Sequence, residues 1–347
     1  MGTYLSVDDY TDSVNLDKPW WFTEAMDSIK IDGNGYELYG DFHLSYYDMI
    51  WGITFNQQEF LDNKIAFPYD MVRDGNWTIA EMEKIIKITA ATLGDEHYGV
   101  ASHKEFIQAS ISGSAFTLMY QDDDDLLRPF DNEDRLVDIY TDIMNAFFTS
   151  NGDKRMNWIR PDYSSVAWNS SGNFKLETSH IDTFSSGRAT FMGGVISDIR
   201  GVRNAEFQYG IIPFPKYESG QETYVSHISR VASSCGIPAT SPELDRTCVI
   251  IENMSAYSYK LVKDEYYEVV VQGRTVRDND SIEMLDIIFG YDERGKAVFE
   301  IDDVYTLGLS DEIRKSMSDN VTEIMVNIDS AMSTVNSNIE TMIEAYK

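Results

Sequence analysis

Core-facing positions along this chain follow two alternating rhythms. After Thr78-Ile79-Ala80-Glu81, an opening that caps a helix, Met82, Ile85, Ile86, Thr89 and Leu93 stand at helical spacing, and Gly94 ends the run. The same spacing predicts helices over Lys104–Ser112, over Asn132–Phe148 with Leu136, Ile139, Tyr140, Ile143 and Phe147 on one face, over 181–186 and over Pro242–Lys260. Another is predicted over Ser281–Phe289, capped by Asp280, and Ser310–Tyr346 reads as two helices. Shorter apolar runs read as strands: Tyr36–Leu44 after the turn Asp32-Gly33-Asn34-Gly35, Tyr46–Phe55, Tyr98–Ser102 and Ala189–Met192. Helices alternating with short strands argue an α/β fold.

The stretch from Phe184 to Lys216 is the most informative. It passes Gly187, Ala189, Met192 and the pair Gly193-Gly194, and closes on Tyr209-Gly210-Ile211-Ile212-Pro213-Phe214-Pro215. Two short apolar runs with glycines between them suggest buried strands whose ends leave backbone open to a cleft.

Composition narrows the function classes. A chain of 347 residues suggests two domains, and 43% hydrophobic residues suffice for sizeable cores. Acidic residues number 58 against 28 basic, a formal charge of −30 that repels nucleic-acid phosphates and an anionic membrane face. Cys235 and Cys248 fit no metal spacing and read as two free, buried thiols, with a disulfide between them as the alternative if the chain is exported. No apolar run is long enough to span a bilayer, and the first residues carry no basic start and no apolar signal core.

Catalytic and cofactor motifs are missing. There is no HExxH, no nucleophile elbow, no phosphate-binding loop and no dinucleotide fingerprint, so no cofactor is expected. His97 and His103 stand six apart, which is no single helical face, and no metal site is expected. The run Asp122–Asp125 lacks the glycine and terminal glutamate of a calcium loop and reads as solvated. Carboxylates are plentiful, but nothing marks out one pair as the acid and base of a glycosidase.

Five phrases in order resemble extracellular solute-binding proteins, the capture subunits of ABC importers, of the carbohydrate-binding kind. They are Phe55-Asn56; Pro68-Tyr69-Asp70 through Asp74-Gly75-Asn76-Trp77-Thr78; Phe184 to Lys216; Gln221-Glu222-Thr223-Tyr224 with Ile237-Pro238-Ala239-Thr240; and Arg277-Asp278-Asn279-Asp280-Ser281-Ile282-Glu283-Met284. The resemblance implies a type II periplasmic-binding-protein-like fold: two α/β lobes that close on a ligand about crossing strands. It places residues 1–51 and 234–275 in the first lobe and 58–225 and 282–347 in the second, with crossings near 52–57, 226–233 and 276–281. It also implies that the first lobe is truncated here, because the family's signal peptide, lipid-accepting cysteine and earliest strand–helix units have no counterpart.

What the resemblance implies for function is capture of a carbohydrate or oligosaccharide without catalysis. The protein would be monomeric, held outside the membrane as a lipoprotein in its complete form, and partnered by membrane permease subunits. A non-transport glycan- or peptide-binding surface protein is the alternative, and a glycoside hydrolase a more distant one. Ligands of open α/β sheets sit beyond the carboxyl ends of strands, which points to His103, after Tyr98–Ser102, and to Gly193 and Gly194, after Ala189–Met192. Trp51 lies beside the first crossing, and Ser226 and Arg230 near the second. Trp51, Trp158 and Trp168 are candidates to stack on a sugar face, with core packing or a surface loop as the other reading of each.

Overall fold

The computed structural model describes residues 4–10, 13–93, 97–147, 156–158, 179–267, 278–319 and 321–346, with the backbone alone for 90–93, 156–158 and 346. Six consecutive buried residues, Trp51–Asn56, form strand β1. A strand buried along its whole length reads as an unbroken apolar run because both faces are covered. It lies inside a five-stranded sheet with β2 (Tyr98–Ser102), β5 (Met156–Trp158), β6 (Ala189–Val195) and β7 (Tyr209–Ile212), in the order β5-β2-β6-β1-β7.

Strand β2 is parallel to β5 and to β6, whereas β1 is antiparallel to both β6 and β7. Four strands therefore run one way and β1 the other. The carboxyl ends of the four and the amino end of β1 meet at one edge, where Trp51 pairs with Val195 and Ser102 with Trp158. Helices Ile79–Leu93, Phe106–Gly113 and Glu133–Phe147 supply the covering layers. Phe106 packs edge-on against Phe147 and also meets Phe214. Trp77, fully buried, donates its indole N–H to the Pro213 carbonyl at 3.0 Å, which satisfies its one polar atom.

Two small units complete the structure. Strands β3 (Met119–Gln121) and β4 (Leu127–Pro129) form a hairpin around the Asp122–Asp125 run. Strands β8 (Tyr224–His227) and β9 (Gly295–Val298) pair in parallel. The last two helices are Leu309–Ser318 and Ile324–Tyr346, as the periodicity predicts.

Several local expectations change. Tyr36–Leu44 forms no strand because its backbone groups pair with separate segments: Leu38 with Cys235, Tyr39 with Phe22 and Asp41 with Trp20. The run Tyr46–Phe55 divides into a short helix, Ser45–Asp48, and β1. Strand β6 does not stop at Met192. It continues through Gly193 and Gly194, which pair with Ile53 and Gly52. Helix Asn279–Phe289 is capped by Asp278 rather than Asp280; its carboxylate accepts the Ser281 N–H at 2.7 Å. The helix expected over Pro242–Lys260 starts at Leu244 and continues past Ser258 as a π-helix over Tyr259–Lys263. Cys248 is buried and Cys235 half-buried, both free. Residues 169–173, whose Ser, Gly and Asn content reads as a loop, lie outside the described residues.

Gly193 shows how tightly the sheet is dressed. A Cβ there would sit 2.5 Å from the Phe106 ring, too close for either atom to stay. Gly193→Ala is expected to destabilise the protein by about 1–3 kcal/mol through overpacking. A urea melt should show the midpoint falling with an unchanged slope; an unchanged midpoint would mean that Phe106 yields freely.

Candidate ligand-binding site

At the gathered edge, strand β2 is pinned to β6 where Ser102 donates its hydroxyl to the Gly193 carbonyl at 2.8 Å. His103 follows at once. Its ring centroid lies 4.8 Å from that of Trp51 and 5.2 Å from that of His180. His180 is the first residue of helix His180–Ser185, whose start is fixed by Ser179; the Ser179 hydroxyl oxygen accepts the Asp182 N–H at 3.0 Å. Asp198 comes from the first turn of Ile196–Gly201, the helix that leaves β6. Its Oδ2 accepts the Val195 N–H at 3.3 Å and lies 3.3 Å from His180 Nε2.

The charges here are set by the surroundings. Burial pushes His103 down to about 4, and the neighbouring His180 and Lys104 push the same way against the pull of Asp198. Burial works against the Asp198 carboxylate as well, but the hydrogen bond and charge of His180 outweigh it and hold Asp198 below the ordinary carboxylate range. His103 is thus a neutral imidazole at physiological pH, with one nitrogen free to accept.

The other flank of helix Phe106–Gly113 carries a second polar group. His227 on β8 places Nδ1 3.3 Å from the Ser112 hydroxyl and Nε2 3.9 Å from Asp303. Arg230 Nη1 lies 3.4 Å from Asp303 and 3.9 Å from Asp311, with its side chain 29% exposed. Arg314, only 3% exposed, donates to Asp311 from Nη2 at 2.6 Å and forms an ion pair with Asp303, Nη1 lying 2.8 Å from its carboxylate. A guanidinium that is buried needs such partners, since an unpaired buried charge costs about 3–5 kcal/mol. Arg314 therefore holds the carboxylates, and Arg230 pairs with the same two while its side chain stays partly exposed.

The fold brings together Trp51, His103, Gly193, Gly194 and the backbone position of Trp158, with Ser226 and Arg230 on the other flank. Four of these differ from expectation. Trp51 is fully buried and in this conformation offers no open face for stacking. The space beside Gly193 is filled by Phe106, and that beside Gly194 by Asp198, so the close neighbours are the protein's own side chains. Ser226 is fully buried on β8. Trp168 lies outside the described residues, and Trp158 is described by its backbone alone. Sequence reading missed His180 and Asp198. They stand far from His103 in the chain and carry no local signal beyond helix starts. His97, whose spacing to His103 argued against a metal, lies elsewhere and pairs with Glu59 at 2.9 Å.

A cavity of about 380 Å³ opens at the far end of helix Phe106–Gly113, lined by Phe116, Tyr120, Gln121, Phe299 and Glu300 among others. Burial pushes the Glu300 carboxyl up to about 8, although it accepts the Leu118 N–H at 2.9 Å.

Comparison with solved structures decides the fold. UgpB from Mycobacterium tuberculosis, solved in complex with glycerophosphocholine, is 11% identical; the match covers 98% of this chain and 80% of that one at a TM-score of 0.63. The sugar-binding protein MalE from Xanthomonas citri is 14% identical over 99% of this chain and 79% of its own, at a TM-score of 0.59. The ABC substrate-binding protein Lmo0181 from Listeria monocytogenes, in complex with cycloalternan, is 13% identical over 98% and 80%, at 0.57. The fold is that of the two-lobe ABC solute-binding proteins. No family model and no curated protein matches the sequence. On this solute-binding-protein fold, no helix among the described residues is long and apolar enough to cross a membrane.

The His103 environment gives a direct check. A histidine whose folded pKa is depressed stabilises the fold at neutral pH, and that contribution is lost as pH falls from about 6.5, its unfolded value, towards 4. NMR titration of the histidine ring protons should show one ring, absent in His103→Asn, still neutral at pH 5.5. A midpoint for that ring near 6.5 would contradict the buried placement.

Proposed function

We propose that this chain is the substrate-capture component of an ABC importer, that its solute is a carbohydrate or oligosaccharide, and that it works outside the membrane as a monomer. The solute is held by the edge that carries His103, His180 and Asp198, with Arg230 of the second polar group reaching it as the lobes close, then released to permease subunits. No bond is made or broken; the work is binding and closure.

The observation that carries this reading is the gathering of His103, His180 and Asp198 from three separate elements beyond the carboxyl ends of β2 and β6, with the part-exposed Arg230 in a second polar group, on a fold used for solute capture. An imidazole, a carboxylate and a half-exposed guanidinium suit hydroxyl groups, which both donate and accept. The overall charge of −30 favours a neutral solute over an anionic one. In this reading lobe one comprises 1–51 and 234–275, lobe two 58–225 and 282–347, and the chain crosses near 52–57, 226–233 and 276–281. Two of those crossings touch: Gln57 donates to Asp278 at 2.6 Å, and Tyr69 donates to the same oxygen at 2.8 Å. Such a junction suits a hinge that keeps its pivot while the lobes move. Trp51 would then gain an open face only as the lobes part, whereas Trp158 and Trp168 remain stacking candidates.

A thermal-shift panel of mono- and oligosaccharides tests this, with a glycerophosphodiester included. Ligand at a hundred times Kd adds about 2.7 kcal/mol to stability, enough for a clear upward shift. At least one saccharide should raise the melting temperature, and Arg230→Ala should reduce the shift. A rise with the phosphodiester alone, or with no compound, would overturn the carbohydrate reading.

A further inference from the structure

We infer that His103, His180 and Asp198 form a binding site for a divalent ion of the zinc, cobalt or nickel class. One ring nitrogen from each histidine and one carboxylate oxygen of Asp198 lie within 4.8 Å of one another. It is the one grouping of three such side chains among the described residues.

The donor set selects the metal. Two imidazoles and a carboxylate suit borderline transition ions, whereas calcium and magnesium prefer an all-oxygen shell. The spacing is close to what coordination needs. Ligand atoms about 2.0–2.1 Å from a tetrahedral ion stand about 3.3–3.4 Å apart. The 3.3 Å between His180 Nε2 and Asp198 Oδ2 already has this value. A modest turn of the His103 ring closes the third side. Three protein ligands leave a fourth position for water or for an oxygen of a bound solute.

The support around the ligands is also in place. Each is carried on a fixed element: the end of β2, a capped helix start and the first turn after β6. The Val195 N–H holds the Asp198 carboxylate at 3.3 Å, the kind of outer contact that orients a metal ligand. Gly194 admits that carboxylate, since a Cβ there would lie 2.9 Å from Oδ2. Half-burial of His180 and Asp198 leaves a path for an ion to enter. The inference rests on these side chains and not on the identity of the solute.

The probe is Co²⁺ alone, titrated into the protein with Mg²⁺ in excess to occupy the many surface carboxylates. One equivalent should give the visible absorption of four- or five-coordinate cobalt and be displaced by Zn²⁺. Asp198→Asn and His180→Gln, each with its fold verified by circular dichroism, should weaken binding by roughly ten-fold or more. A spectrum that stays that of aqueous cobalt would overturn the site, as would affinity unchanged in both variants. Either failure leaves the carbohydrate reading standing, because no sugar enters this experiment.

Discussion

One strand running against its neighbours determines where everything else in this protein is placed. Strand β1 lies antiparallel between β6 and β7 while the other strands of the sheet run the opposite way. Its amino end therefore meets their carboxyl ends, and a single edge receives Trp51, His103, Val195 and the helix that carries Asp198. Register matters as much as direction. Because side chains alternate faces along a strand, a slip of one residue would turn every buried side chain of β1 to the opposite face. It would also move Gly193 out from under Phe106, where no Cβ fits. The edge chemistry is thus a consequence of sheet packing.

The polar side chains of the two groups are held by a division of labour between buried and exposed charges. Arg314 and Asp303 are both almost completely buried and bonded to each other, which makes a fixed base. Arg230 leans on the same carboxylate but keeps part of its guanidinium in solvent. Asp198 is likewise held by a backbone N–H and by His180, so its position is set before any ligand arrives. Side chains ordered in advance lose less entropy on binding.

Much of the fold was legible in the sequence, for identifiable reasons. Helices with long amphipathic faces, such as that carrying Leu136, Ile139, Tyr140 and Ile143, were readable because a period of 3.6 leaves a repeated signal. Strand β2 was readable because it is short, apolar and followed by a helix. Tyr36–Leu44 misled because its apolar content reflects aromatic packing, while its hydrogen bonds go to scattered partners. Gly193-Gly194 looked like a strand end open to a ligand; the glycines are instead required by Phe106 and Asp198. Of the site, His103 was visible from its place after β2. His180 and Asp198 were not, because only the parallel pairing of β2 with β6 brings their segments together.

The central claim is that solute is captured at the edge between His180 and Arg230. A crystal structure with the saccharide that most stabilises the protein tests it directly. The account predicts sugar density beyond the carboxyl ends of β2 and β6, within hydrogen-bond reach of His180, Asp198 or Arg230. Density instead in the cavity at the far end of helix Phe106–Gly113, against Phe116 and Tyr120, with the edge empty, would contradict it.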